Sequence, residues 1–179
     1  LMQYMRFWPK GTIFVSVVDP GVGTSRKACV AKTKDGYYVV TPDNGALTHI
    51  ALTSGIEEVR EIDESINRLK GKDNDRVAIF GGRDVFGYTA ARLASGVITY
   101  EQVGPSYLVE DIQMFDLPEP VVEGNTVTGF MEIDDPNFGN LWTNIHMDYF
   151  EKLDIHHGDT IHACISKNGE VLFDEDITY

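Results

Sequence analysis

Residues 11–18 read GTIFVSVV, a nearly continuous apolar run that ends abruptly at the turn DPGVG of residues 19–23. A run of this kind is typical of a strand that is covered on both faces, as are the strands of parallel sheets in α/β proteins. The turn after it, with its glycines and proline, favours neither helix nor strand. This stretch therefore predicts an α/β domain with a mostly parallel sheet.

The segments that follow alternate between strands, turns and helices. The predicted elements are a hairpin of residues 28–32 and 37–41, a helix over 46–54, a strand over 59–62, a buried strand over 77–80 and a helix over 85–94. The hairpin turns at Lys34-Asp35-Gly36, and Gly55 and Gly96 end the two helices. The strand, turn and helix over 77–94 form the first half of a βα unit, and ligands of α/β proteins bind where such strands end.

Near residues 115–124 the composition changes to an acidic stretch that is punctuated by Pro118, Pro120 and Gly124. We place the domain boundary here, between an N-terminal α/β domain over 1–117 and a C-terminal domain over 122–179. The strands predicted downstream cover 126–133, 141–145, 160–165 and 171–173. Asn168-Gly169 is a strong signal for a two-residue hairpin between the last two strands. The second domain is therefore predicted to be a small all-β barrel or sandwich.

The chain has 179 residues, with 15 basic and 28 acidic side chains and a formal net charge of −13. Such a field repels nucleic acid and attracts a cationic ligand, although acidity also simply keeps proteins soluble. No apolar run reaches the ~18 residues of a membrane span, and residues 1–8 show no secretory signal. Cys29 and Cys164 lie far apart without metal-ligand spacing. Each falls within an apolar strand-like run, which is typical of a small buried thiol. These features predict a cytoplasmic protein that binds neither nucleic acid nor membrane.

Three loops that follow strands carry candidate chemistry. In the first, Asp19 stands at the end of a buried strand, where a carboxylate is costly unless it is partnered or functional, and Arg26 would keep it ionised. A purely structural ion pair that braces the turn explains the same pattern. The second loop, PDNG at 42–45, reads as an ordinary turn before a helix. The third, FGGRD at 80–84, has two glycines that allow a ligand to come close, while its Arg-Asp pair also fits a helix N-cap.

Residues 133–144 (IDDPNFGNLWTN) are dense in side-chain donors, acceptors and aromatic rings. Carboxylates, amides and a tryptophan are what a site needs to hold ribose hydroxyls and to cover an adenine ring. A long polar turn with one aromatic plug is the alternative interpretation. The five histidines show no metal-ligand spacing, so no metal site is predicted.

Taken together, these loops are more specific than any one of them alone. VVDPGVGTSR at 17–26, PDNG at 42–45, GRDVF at 82–86 and DPNFGNLWTNI at 135–145 occur in the same order and at similar spacing in the S-adenosylmethionine hydrolase/halogenase family. From about Phe7 to its end, the sequence resembles this fluorinase/chlorinase-like family. Within the family it most resembles the S-adenosylmethionine hydrolases, also called SAM hydroxide adenosyltransferases.

The resemblance implies a homotrimer of subunits with an N-terminal α/β domain and a C-terminal domain like a β-barrel. S-adenosylmethionine would bind between the N-terminal domain of one subunit and the C-terminal domain of the next. Water would displace L-methionine from C5′ of the ribose and leave adenosine, and no metal or organic cofactor is implied. The resemblance also implies a longer protein, with an opening βα unit before Leu1 and a closing segment after Tyr179.

The resemblance further assigns roles to single residues. Asp19 would orient the attacking water and accept its proton, and Arg26 would hold Asp19. Gly81 stands where the family has a histidine, and the loss of that histidine would reduce turnover. Val22 occupies the threonine position of the fluorinating enzymes, and an anionic Asp19 would repel a halide, so a halogenase is disfavoured. The residues that would contact the nucleoside are Asp135, Asn140 and Trp142, with Asp134 as the alternative to Asp135. The rival function is a protein that binds S-adenosylmethionine or adenosine with weak or no turnover.

Overall fold

The computed structural model describes residues 1–71 and 80–179. The chain forms two compact units, Leu1–Phe115 and Asp116–Tyr179, which we call the N-terminal unit and the C-terminal unit. Apart from Phe80, the strand predicted over 77–80 lies outside the described residues. None of the helices within the described ranges has the length and apolar character that a membrane crossing requires.

The N-terminal unit is built on a mixed sheet of five strands. In chain order these strands are β1 (Ile13–Val15), β2 (Ala28–Thr33), β3 (Tyr38–Pro42), β4 (Ile56–Glu61) and β5 (Ser106–Tyr107). Their order across the sheet is β1-β3-β2-β4-β5. The β1 strand pairs with β3 in parallel, whereas the β3–β2, β2–β4 and β4–β5 pairs are antiparallel.

The prediction of a mostly parallel sheet is therefore wrong for the described strands. An apolar run indicates only that both faces of a strand are buried, and β2 is buried on both faces although its two neighbours are antiparallel to it. The hairpin between β2 and β3 turns at Lys34-Asp35-Gly36 as predicted, with Gly36 at φ +89°. A turn this short forces its two strands to run in opposite directions.

The first strand also differs from its prediction. The strand expected over 11–18 is only three residues long. Val15 is 47% exposed and Val18 is 75% exposed, although the apolar run predicts a strand that is covered on both faces. Among the described strands β1 pairs only with β3, and a strand at the edge of a sheet is less covered than a central one.

Helices pack on the sheet of the N-terminal unit. They are α1 (Met2–Met5), α2 (Thr48–Thr53), α3 (Glu64–Asn67) and α4 (Tyr88–Ala94), with a π-helical turn at Gly82–Gly87 directly before α4 and 3-10 turns at Glu101–Val103 and Val109–Asp111. The helix predicted over 46–54 is thus present as α2, and the helix predicted over 85–94 begins earlier, at the π-helical turn.

Each face of the sheet carries its own apolar core. Successive side chains of a strand point to opposite faces, so Cys29 of β2 belongs to one core and Val30 to the other. The first core includes Ile50 of α2, and the second includes Phe86 of the π-helical turn. The turn that carries the GRDVF motif is therefore anchored in the second core.

The C-terminal unit consists of three antiparallel hairpins and one short helix. Its elements are β6 (Val121–Glu123), β7 (Thr126–Thr128), β8 (Met131–Asp135), β9 (Asn140–Thr143), α5 (Met147–Lys152), β10 (Thr160–Lys167) and β11 (Glu170–Thr178). The predicted turn at Asn168-Gly169 is confirmed, since both residues have positive φ, 53° and 83°. Within the described residues 116–179 each hairpin forms its own two-stranded sheet, so the predicted barrel or sandwich stays a prediction.

The single strand predicted over 126–133 is divided at Gly129. A Cβ atom at Gly129 would lie 2.3 Å from the side-chain oxygen of Asn144. This oxygen accepts a hydrogen bond from the Phe130 amide at 2.8 Å, and the Asn144 amide group donates to the Pro118 carbonyl at 2.9 Å. The buried Asn144 side chain thus occupies space that only a glycine leaves free, and the chain bends there between β7 and β8.

Candidate functional site

The loop after β1 contains an ion pair between Asp19 and Arg26, seven residues apart. The Arg26 Nε atom donates to both carboxylate oxygens of Asp19, at 2.9 and 3.0 Å, and its Nη2 atom donates to Oδ2. The side chains of Asp19 and Arg26 are only 8% and 16% exposed. Pairs with this forked geometry are among the stronger charge-assisted hydrogen bonds, so the carboxylate is held in one orientation.

The GRDVF motif contributes an aromatic ring, Phe86, that packs against the arginine of this ion pair. The Arg26 guanidinium carbon lies 5.4 Å from the centre of the Phe86 ring, and Phe86 itself is 1% exposed. A Cβ atom at Gly81 would lie 4.0 Å from the edge of the same ring, and one at Gly82 would lie 3.8 Å from the Val17 side chain. The loop after β1 and the loop around Gly81 therefore converge on Arg26 and Phe86.

The PDNG loop also contacts the loop after β1, next to Asp19. The Asn44 side-chain amide donates to the carbonyl of Val18, the residue before Asp19, at 3.0 Å. The side-chain oxygen of Asn44 accepts from the Ala46 amide at 3.3 Å. The sequence predicts an ordinary turn before a helix here. The hydrogen bond to Val18 is an additional, long-range contact that such a turn does not require. An Asn in a turn signals local hydrogen bonding, but nothing in the sequence identifies a partner 26 residues away.

Asp43, the neighbour of Asn44, binds a distant part of the N-terminal unit. Its carboxylate is 3% exposed and accepts from the Tyr107 hydroxyl at 3.0 Å and from the Gln113 amide at 2.9 Å. Cys29 lies nearby, and burial raises the pKa of its thiol to about 12. A thiol in this state is no nucleophile near neutral pH, so we assign Asp43 and Cys29 a structural role.

Gly45 completes the PDNG loop and gives the first testable prediction. It has φ +98°, and a Cβ atom there would lie 2.6–2.9 Å from carbons of the Phe115 ring. Gly45→Ala is expected to lower the free energy of unfolding by about 2–5 kcal/mol, because about 1–2 kcal/mol for positive φ combines with about 1–3 kcal/mol for overpacking. Urea denaturation measures the change.

The matched control is Gly36→Ala. Gly36 has a similar φ of +89°, but a Cβ atom there would meet, among the described residues, only the Lys10 side chain, at 3.8 Å or more. This variant is expected to lose only the cost of positive φ, about 1–2 kcal/mol. Equal losses in the two variants would show that the Phe115 ring moves aside without cost.

Arg83 and Asp84 form a second pair within the π-helical turn. Arg83 donates to the Asp84 carboxylate through Nε at 2.5 Å and through Nη2 at 3.0 Å. The hydrogen bond from Arg83 lowers the pKa of Asp84, whose side chain is buried. The helix N-cap expected here is not formed by Asp84, because its carboxylate is occupied by Arg83 and the π-helical turn begins with Gly81 as the cap residue, without a side-chain cap bond.

In the C-terminal unit, the residues predicted to contact a nucleoside share one face of a hairpin. Asp135 lies directly opposite Asn140, and Ile133 lies opposite Trp142, in the β8–β9 pairing. Partners across a hairpin point to the same face, as do residues two apart on a strand. Asp135, Asn140 and Trp142 are therefore on one face, whereas Asp134 is on the other.

The structure thus groups the predicted site residues in two places, one in each unit. Asp19 and Arg26 are in contact, and Gly81 borders the Phe86 ring on which Arg26 lies. Val22 closes the turn after Asp19 by donating its amide to the Asp19 carbonyl at 3.2 Å, and its side chain is exposed. Two residues that sequence reasoning missed, Asn44 and Phe86, hold the first group in place.

Known proteins resemble the chain over most of its length. A family model described as the SAM hydroxide adenosyltransferase N-terminal domain matches residues 1–104. The (R)-S-adenosyl-L-methionine hydrolase of Methanocaldococcus jannaschii is 35% identical over 148 residues, which are 83% of this chain and 48% of the relative. That of Salinispora tropica is 40% identical over 122 residues, which are 68% of this chain and 44% of the relative.

More distant relatives and a solved structure agree with this match. The fluorinase of an Actinoplanes species is 27% identical over 197 residues and covers 97% of this chain. The crystal structure of an uncharacterized conserved protein from Thermotoga maritima superposes with a TM-score of 0.81 at 38% identity, over 96% of this chain and 60% of that protein. The chain spans about half the length of the hydrolases that it matches. Because the family model covers more than half of its residues, the chain belongs to the SAM hydroxide adenosyltransferase family, the fluorinase/chlorinase-like S-adenosylmethionine hydrolases.

Proposed function

We propose that this chain carries the water-activating site of an enzyme that hydrolyses S-adenosylmethionine to adenosine and L-methionine. The observation that carries the proposal is the forked ion pair in the loop after β1, in which Arg26 binds both oxygens of Asp19. The relatives that are 35% and 40% identical are named as hydrolases of this substrate. These printed names support the same reaction for this chain.

The reaction requires little from the protein beyond positioning and charge. The oxygen of a water molecule bonds to C5′ of the ribose, the C5′–S bond breaks with its electron pair moving to sulfur, and the water proton passes to Asp19 and then to solvent. The sulfonium leaves as a neutral thioether, so the leaving group requires no general acid, and no metal or organic cofactor is required. A carboxylate that is positioned to accept the proton contributes about 10²–10⁴ in rate.

The face of the β8–β9 hairpin is proposed to bind the nucleoside. Asp135 and Asn140 offer acceptors and donors for the ribose hydroxyls, and the half-exposed indole of Trp142 offers a surface for adenine. Asp135 is favoured over Asp134 because it shares a face with the other two residues. The net charge of −13 suits a cationic substrate.

The protein is further proposed to be a cytoplasmic homotrimer with its sites at subunit interfaces. Cys29 and Cys164 are both free thiols, which suits a reducing compartment, although Cys164 is exposed and not buried as the sequence predicts. The trimer would let the hairpin face of one subunit complete the Asp19 site of its neighbour. Light scattering on the full-length protein tests the stoichiometry.

The function itself is tested by incubating the full-length protein with S-adenosylmethionine and separating the products by chromatography. Adenosine and L-methionine are expected to appear in equal amounts and in proportion to enzyme. Absence of adenosine above the buffer blank, with S-adenosylmethionine still bound in equilibrium dialysis, would favour a binding protein instead.

The same assay with added halide gives a second prediction. No 5′-chloro- or 5′-fluoro-5′-deoxyadenosine is expected even at high chloride or fluoride, because the Asp19 carboxylate repels a halide at contact distance and Val22 offers no hydroxyl to bind one. Mass spectrometry of the products is the measurement, and the adenosine formed in the same sample is the internal control. Either halogenated nucleoside would contradict the hydrolase assignment.

A further inference from the structure

We infer that Asn44 is a positioning residue that fixes the backbone of Asp19 through its hydrogen bond to the Val18 carbonyl, an inference that rests on the proposed function. The Asn44 Nδ2 atom lies 3.0 Å from the Val18 oxygen. That carbonyl belongs to the peptide group that joins Val18 to Asp19. The direction of this carbonyl fixes the peptide plane that contains the nitrogen and Cα atoms of Asp19, and so helps to fix the direction of the Asp19 side chain.

Among residues 1–71 and 80–179, few other contacts hold this peptide group. Val18 is 75% exposed, so apolar packing of its side chain does little to fix the peptide group that it shares with Asp19. Asp19 is held on its other side, where its carbonyl accepts the Val22 amide at 3.2 Å and its carboxylate binds Arg26. The bond from Asn44 thus supplies the third fixed point around the proposed base.

The residues on either side of Asn44 are held by contacts within the N-terminal unit. Its neighbour Asp43 is buried and binds Tyr107 and Gln113, and Gly45 lies under the Phe115 ring. Because the Asn44 oxygen accepts from Ala46, its NH₂ group must face Val18. A side chain that accepts at one end and donates at the other satisfies both neighbours, and a primary amide of this length does so.

The expected consequence is a change in turnover rather than in binding. A misplacement of a reacting group by about 1 Å can cost about a hundredfold in rate. Asn44→Asp keeps an acceptor for Ala46 but turns an oxygen toward the Val18 carbonyl, which it repels. Asn44→Ser also keeps an acceptor, adds no charge and is too short to reach Val18. Both variants are expected to lower kcat by about 10- to 100-fold, with KM changed less than about threefold.

The experiment is steady-state adenosine release by the full-length protein, its two Asn44 variants and the control Asn125→Asp. Asn125 lies exposed in the turn between β6 and β7, so its replacement adds the same charge away from the loop after β1, and the parent kcat is expected. Thermal melts and S-adenosylmethionine affinity are measured alongside. Matching losses of kcat in both Asn44 variants, with melting temperature and affinity near those of the parent, support the inference.

The other outcomes overturn it and remain distinguishable. If the parent releases adenosine and either Asn44 variant does so at the parent rate, the positioning role is wrong while the proposed function stands. If both variants melt well below the parent and lose affinity together with turnover, Asn44 is a structural residue. If the parent releases no adenosine, the proposed function fails and the inference fails with it.

Discussion

Asp19→Asn is expected to lower the turnover of S-adenosylmethionine at least a hundredfold while substrate binding is retained. The asparagine amide has nearly the shape of the carboxylate but cannot accept the proton of the attacking water, and loss of a positioned base costs about 10²–10⁴ in rate. The Asp19 side chain is held by Arg26 and largely enclosed, so its replacement changes chemistry more than shape. Adenosine release gives kcat, and calorimetry gives the substrate affinity.

The control for this variant is Glu64→Gln. Glu64 also binds an arginine, Arg68, at 2.5 Å. This pair is more exposed than that of Asp19 and joins the first residue of α3 to the residue that follows the helix. Replacing Glu64 removes a carboxylate from an ion pair outside the loops that hold Asp19, and the parent rate is expected. If Asp19→Asn hydrolyses S-adenosylmethionine as fast as the parent does, Asp19 is not the base.

Gly81→His is expected to raise turnover by one to three orders of magnitude with little change in affinity. The resemblance to the family implies a histidine at this position, and we expect the glycine to leave room that extra water fills, so that the attacking water is less well fixed. An imidazole there acts on the transition state rather than on bound substrate. Steady-state kinetics of adenosine release from the full-length parent and variant measure the effect.

The backbone of Gly81 accepts this substitution. It has φ −52° and ψ −36°, a conformation that any L-residue adopts, and within the part of the chain that the structure describes a Cβ atom would approach only Phe86, at 4.0 Å. Gly81→Ala is the matched control, since it adds the Cβ atom without the imidazole and is expected to keep the parent rate. Equal rates for the parent and Gly81→His would show that position 81 takes no part in catalysis. Bound substrate without turnover in either protein would favour the binding function.

Local chemistry explains which elements of the fold were predictable. The hairpin at Lys34-Asp35-Gly36, the end of α2 before Gly55 and the turn at Asn168-Gly169 all depend on residues that tolerate positive φ, and all three are present. Each of these signals lies within a few residues of the structure that it directs. The apolar run at 11–18 is different, because burial depends on which strands lie beside it, and it predicted neither the short β1 nor the mixed sheet.

The sequence by itself determined the family, the ion-pair partners Asp19 and Arg26 and the polar stretch around Asp135, because each of these is a pattern of residue types at short spacing. Only the tertiary structure decided that Asn44 holds the backbone before Asp19, that Phe86 lies under Arg26 and that Asp135 rather than Asp134 shares a face with Asn140 and Trp142. These contacts join residues that are far apart in the chain or depend on strand register. Register and long-range contacts arise from packing of the whole unit, so no local pattern of residues encodes them.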